Sequence, residues 1–152
     1  MKALQVSIMG LCLTGFLACA QNSKTPKQVL DSFSEKFPTA KYVKWDKENE
    51  TEWEAEFKMD GIKYSANFDT DGAWKETEHK VKSSEVPEQI KTALTTAFPD
   101  SKIEDIEVSD TKSGRFYEFM IEKGETDMEI VIDSKGNIVK KEMKDEEDSD
   151  ND

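Results

Sequence analysis

The chain carries one residue pattern twice. Val29, Phe33, Phe37 and Pro38 recur as Ile90, Leu94, Phe98 and Pro99 at a constant offset of 61. Trp53, Ala55, Phe57, Tyr64, Ala66, Phe68, Asp69, Gly72 and Trp74 recur as Tyr117, Phe119, Ile121, Met128, Ile130, Ile132, Asp133, Gly136 and Ile138 at an offset of 64. The difference of three residues is an insertion in one loop. This period is far longer than that of solenoid arrays, so the pattern predicts two copies of one α+β module.

Hydrophobic spacing supplies the content of that module. Val29, Leu30, Phe33 and Phe37 form one helical stripe, which predicts a helix from Thr25 or Pro26 to Lys36 with Thr25 as its N-cap and Pro38 as its stop. The period then falls to two, as strands require. Tyr42–Asp46 reads as a short strand with Val43 and Trp45 in phase. Trp53, Ala55, Phe57 and Met59 alternate with Glu54, Glu56 and Lys58, and Ile62, Tyr64, Ala66 and Phe68 alternate with Lys63, Ser65 and Asn67. Asp60-Gly61 is a two-residue hairpin signal between them. After the Asp69–Gly72 turn, Ala73–Lys80 completes a four-stranded meander. The second copy opens at Val86-Pro87-Glu88, places Ile90, Ala93, Leu94, Ala97 and Phe98 inward, and continues with strands over 103–109, 114–122, 126–133 and 137–142, with Lys123-Gly124 as one of its turns.

The fold expected is therefore α+β, a tandem duplication of a helix plus four-stranded antiparallel meander, with both helices on one face of the sheet. The boundaries expected are a signal peptide over 1–20, a linker over 21–25, repeats over 26–82 and 83–143, and an acidic tail over 144–152 that is too charged to bury anything. The other face of the sheet would be left open.

Residues 1–20 join a basic start at Lys2 to an apolar stretch and small residues, the form of an export signal. Its end reads two ways. Ala18-Cys19-Ala20 fits cleavage before Gln21, and Leu17-Ala18-Cys19 fits a lipobox in which Cys19 becomes a lipidated N-terminus. Cys12 lies inside the leader, so no disulfide and no thiolate zinc site is expected of the exported chain, which its core must hold together. Beyond residue 20 there are 20 basic and 33 acidic side chains, a net charge of −13. Such a surface repels nucleic-acid phosphates and anionic lipids and favours cationic or basic partners; the membrane would be reached only through a lipid on Cys19.

The helix with its Phe-Pro stop, the meander and the Asp-x-x-Gly turn, present twice behind an export signal, resemble the PepSY-like periplasmic proteins. The residues carrying the likeness are Val29, Phe33, Phe37-Pro38, Trp53, Tyr64, Phe68-Asp69 and Gly72-Ala73-Trp74, with Val86-Pro87, Ile90, Leu94, Phe98-Pro99, Tyr117, Ile132-Asp133 and Gly136 in the second copy. They span about residues 26 to 142. The resemblance implies a fold similar to the beta-lactamase inhibitor protein, an exported location and a binding role. It brings no catalytic residues with it, and fold likeness does not make the chain an inhibitor.

Several constellations have a plain and a functional account. Asp69-Thr70-Asp71-Gly72 begins like a calcium loop, but the twelfth position is Lys80 where a bidentate glutamate is required, so turn chemistry accounts for it better. Glu54 and Glu56, with Glu118, Glu122 and Glu129, alternate as a solvated strand face does and give no sign of an acid/base pair. His79, the one histidine, reads as a solvated strand residue, since one imidazole makes neither a zinc site nor a triad. Phe116, Met120 and Val131 fall out of phase with the core of the second copy, either because something in the molecule covers them or because they form an apolar patch for a partner or a second copy of the chain.

The sequence thus favours a non-enzymatic envelope protein with no cofactor, no resident metal and no catalytic residues. It would bind an envelope protein or peptide through Glu54, Glu56, Lys58, Lys63, Asn67, Phe116, Met120 and Val131 on the open sheet face. Two other readings remain: an acidic protein that holds divalent cations, and a protease inhibitor or chaperone-like module.

Overall fold

The computed structural model describes residues 24–144. The leader with Cys12 and Cys19, most of the linker and the tail from residue 145 lie outside the described residues. The element order is α1 (Lys27–Lys36), β1 (Lys41–Lys47), β2 (Glu52–Met59), β3 (Ile62–Asp69), β4 (Trp74–Lys80), a single 3-10 turn (Ser83–Glu85), α2 (Glu88–Ala97), β5 (Lys102–Thr111), β6 (Gly114–Lys123), β7 (Thr126–Asp133) and β8 (Ile138–Lys144). All eight strands join one antiparallel sheet in chain order. The fold is α+β.

Each helix opens and closes on the same local chemistry. Pro26 and Pro87 are the N-cap residues, with ψ of 144° and 141° and no side-chain cap. This corrects the expectation that Thr25 caps α1. The Pro26 carbonyl accepts the N–H groups of Val29 and Leu30, and Pro87 does the same for Ile90 and Lys91. Phe37 and Phe98 terminate the helices at nearly equal dihedrals, their N–H groups donating to Phe33 and Leu94. A proline follows each, so neither helix can continue.

Register assigns the two faces of the sheet, because residues directly opposite each other share a face. Trp53 faces Phe68, Ala55 faces Ala66 and Phe57 faces Tyr64. The same face continues through Ala66 opposite Thr77, His79 opposite Val108, Ile106 opposite Phe119 and Phe119 opposite Ile130. Val29, Phe33 and Phe37 of α1 pack on its first half. Ile90, Leu94 and Phe98 around α2 pack on its second half, with Val86. Both helices therefore lie on one face. Each fully buried side chain there, such as Phe57 or Ile130, contributes about 1.5–3 kcal/mol.

Two separate cores result, and the strands β4 and β5 join them. Between the cores the helix-side face carries Thr77 opposite Asp110, and Asp110 is gripped by both Nε and Nη2 of Arg115 at 2.8 Å. The hairpin over Asp60-Gly61 has φ of 52° and 84°, as a two-residue turn that matches strand twist needs. Lys123 pairs with Thr126, so the equivalent turn is Gly124-Glu125, one residue later than the sequence pattern places it. β1 is irregular: its pairing shifts between Lys41 and Lys44, and Tyr42 stands there with φ of 57° and its ring exposed.

Candidate functional site

Opposite the helices lies a sheet face that neither described helix covers. It carries Glu54, Glu56 and Lys58 of β2, Lys63 and Asn67 of β3, Phe116 and Met120 of β6, and Val131 of β7, so register gathers all eight residues proposed from the sequence onto one surface. Their accessibility differs. Lys58 and Lys63 are exposed, Glu54, Glu56 and Met120 are half-buried, and Asn67, Phe116 and Val131 are buried. Phe116 and Val131 form a small apolar cluster of their own.

The carboxylates on this face differ from the expected solvated row. Glu52, Glu76, Glu78, Glu118 and Glu129 are all buried. Some are matched: Glu52 accepts from Asn67 at 3.1 Å, Asn49 at 3.2 Å and Lys75 at 3.2 Å, and Glu129 accepts from Lys140 at 2.9 Å. Glu78 and Glu118 each bury an Oε1 that has no hydrogen-bond partner. Burial, with Glu118, Glu76 and Glu107 nearby, pushes Glu78 up to about 9. Burial, with Glu129 and Glu76 close, pushes Glu118 up to about 8. Burial first and neighbouring glutamates second raise Glu54 and Glu76 to about 7. Burial, which disfavours the charged form, leads in all four, and repulsion between neighbouring carboxylates adds to it.

A cavity of about 160 Å³ opens among these groups. β3 and β4 pair from Phe68 and Trp74 to Ser65 and Glu78, and there the pairing ends. β2 and β3 stay paired to Met59 and Ile62, and β4 and β5 to Lys80 and Glu107. The cavity occupies this parting, lined by Glu54, Glu56, Ser65, Glu78 and Glu107 with Lys63 and Lys80 beside them. Tyr64 and His79 also line it, their rings 4.9 Å apart. His79 is thus half-buried with its pKa lowered by burial, and is not the solvated residue that the sequence suggested.

Glu76, Glu78 and Glu107 were absent from the sequence-derived site. Glu76, Glu78 and Lys80 alternate along β4 as visibly as Glu54, Glu56 and Lys58 do along β2, but only the strand order brings β4 and β5 beside β2 and β3. The Asp-x-x-Gly turns behave as turns. Asp133 Oδ1 accepts the N–H groups of Lys135 and Asn137, while in the first half it is Asp71, not Asp69, that accepts from Ala73. Gly72 and Gly136 take φ of 89° and 87°. Among the described residues no three acidic or histidine side chains are gathered to hold a metal ion.

Three solved structures from Bacteroides share this fold. A BLIP-like protein from Bacteroides fragilis superposes with a TM-score of 0.72 at 17% identity, over 84% of this chain and 92% of that one. A DUF2874 family protein from Bacteroides uniformis gives a TM-score of 0.72 at 18% identity, over 79% and 90%. A protein from Bacteroides eggerthii, described as one of the "putative periplasmic proteins", gives 0.71 at 18% identity, over 79% and 89%. No curated protein matches the chain. The family model described as "Putative beta-lactamase-inhibitor-like, PepSY-like" matches residues 51–140, from the edge of β2 into β8, and so takes in most of both cores and the whole cavity lining. By that match, over more than half of its length, the chain belongs to the PepSY-like, beta-lactamase-inhibitor-like family.

Proposed function

We propose that this is a non-enzymatic exported protein of the cell envelope that binds a protein or peptide on the helix-free face of its sheet. The observation that carries the reading is Glu78 on that face, buried with an unpartnered oxygen beside an open cavity. A buried carboxylate left unsatisfied costs stability, and a bound partner offsets that cost by supplying the missing hydrogen bond. The family description is inhibitor-like instead of catalytic, which favours binding over chemistry. The description of the Bacteroides eggerthii protein and the leader-like residues 1–20 support a periplasmic location. The repeat offsets and the matched helix ends support reading residues 26–82 and 83–143 as two copies of one module. Intact mass of the native protein distinguishes lipidation at Cys19 from cleavage before Gln21.

Site-specific photo-crosslinking in cells tests the binding face. A photoreactive residue at Lys58 or Met120, on the helix-free face, should yield adducts with a partner, and one at Glu35 or Thr95, on the exposed sides of α1 and α2, should not. Adducts from the helix positions alone would refute the assignment.

A further inference from the structure

The cavity where β3 and β4 part has a chemistry of its own. Glu78 is only 8% exposed, lines the cavity, and has an Oε1 with no partner. Its electrostatic neighbours are Glu118, Glu76, Glu107 and Glu54, contributed by four different strands. The two lysines beside it are committed elsewhere: Lys63 Nζ pairs with Glu56 at 2.7 Å, and Lys80 pairs with Asp105. Among the described residues no ion pair reaches Glu78.

We propose that this cavity receives one cationic side chain, an arginine or lysine, from the protein or peptide bound on the helix-free face. The inference rests on the binding role proposed above and names the feature of the partner that this site recognises. Charge complementarity commits the site to a cation, since Glu54, Glu56 and Glu107 line the cavity with Glu78 and the two lysines beside them are already paired. Its size and lining favour a side-chain head group: about 160 Å³ exceeds by several-fold the roughly 30 Å³ that one water takes in the liquid. Lodged there, the cation supplies the donor that Glu78 lacks and stabilises its ionised form, so binding at neutral pH releases a proton from Glu78.

The test is an NMR titration of the isotope-labelled protein with two pentapeptides, acetyl-Gly-Ser-Arg-Ser-Gly-amide and the same peptide with citrulline in place of arginine. Citrulline keeps the shape and loses the charge. The arginine peptide should produce saturable shifts at Ser65, Glu78 and Glu107, move the Glu78 carboxyl carbon to its ionised position, and bind at least tenfold more tightly than the citrulline peptide. Glu78→Gln, a neutral isostere of the protonated acid, should keep the fold and weaken the arginine peptide at least tenfold. Equal binding of the two peptides, unchanged binding to Glu78→Gln, shifts confined to another surface, or no saturable shift would each overturn the inference. Failure here with crosslinks still arising from Lys58 or Met120 removes only the cationic pocket. Crosslinks from the helix side alone remove the binding role itself.

Discussion

The two halves of the sheet solve one packing problem with different side chains. Under α1 the core is a ring cluster: Phe57 lies 5.1 Å from Phe33, 4.7 Å from Phe37 and 5.6 Å from Tyr64, and Trp45 closes on Phe33 at 5.2 Å. Under α2 the corresponding positions are mostly aliphatic, with Ile90, Leu94, Ile121, Ile130 and Ile132. On the opposite face the contrast is polar. Glu52 in the first half sits in a network of Asn49, Asn67 and Lys75, whereas the second half sets Phe116 and Val131 beside the unsatisfied Glu118. The helix side accepts any apolar filling of the right volume, while the other side is free to carry groups that folding alone would not select.

The largest effect expected separates the two cores. Phe57→Ala and Phe119→Ala should each cost about 3–5 kcal/mol in urea unfolding, since both rings are fully buried. Phe57→Leu should cost more than Phe119→Leu, because it also removes ring contacts worth about 0.5–1.5 kcal/mol apiece. Equal costs would erase the aromatic distinction.

A smaller difference is expected at the paired turns. Gly136→Ala should cost about 1–2 kcal/mol for forcing a Cβ into a positive φ. Gly72→Ala should cost more, because a Cβ there would come within 2.7 Å of the Gln28 carbonyl oxygen and 2.8 Å of Ser32 Oγ on α1, while at Gly136 the nearest atom is 3.5 Å away. If thermal unfolding ranks the two the other way, α1 does not rest on its turn as closely as these distances state.

The helix-free face should announce itself in the pH dependence of stability. Glu78 and Glu118 are raised from an ordinary 4.5 to about 9 and about 8, so between those limits the folded protein holds protons that the unfolded chain has released. The stability that these two groups contribute is fully present below about 4.5 and is lost as pH rises through 8 to 9. Glu78→Gln should raise the melting temperature at pH 9, leave it nearly unchanged at pH 5, and flatten the slope between. An unaltered slope would mean that Glu78 ionises freely in the folded state.

Last in size comes the pair of turn aspartates. Asp133→Ala should cost about 1 kcal/mol, since its carboxylate accepts from Lys135, from the Asn137 backbone and from the Asn137 side chain. Asp69→Ala should cost less, its carboxylate holding the surface contact to Lys75 at 3.4 Å. Denaturant midpoints for both variants would decide whether the two turns are equivalent.

Much of the fold was legible because it is written in local patterns. The Phe-Pro helix stops, the period-two runs and the Asp60-Gly61 hairpin act within a few residues of themselves, and their elements stand within a residue or two of the expected bounds for most strands. The N-cap of α1 falls on Pro26 and not on Thr25, because proline can occupy that position through its own carbonyl. β5 runs further than its apolar pattern because Asp110 and Thr111 continue the ladder with Arg115 and Gly114. The site was half legible: alternation put Glu54, Lys63, Met120 and Val131 on one face, but a strand pattern cannot say which strands are neighbours.

The sequence by itself determined the alternation of faces, the helix limits and the acidic balance, because each follows from side-chain spacing or composition. The tertiary structure alone decided that glutamates from β2, β4, β5 and β6 lie on one face near enough to repel one another, and that Glu78 among them is buried with one oxygen unpartnered. Burial and carboxylate repulsion depend on distances between strands far apart in the chain, and those distances exist only once the sheet has formed.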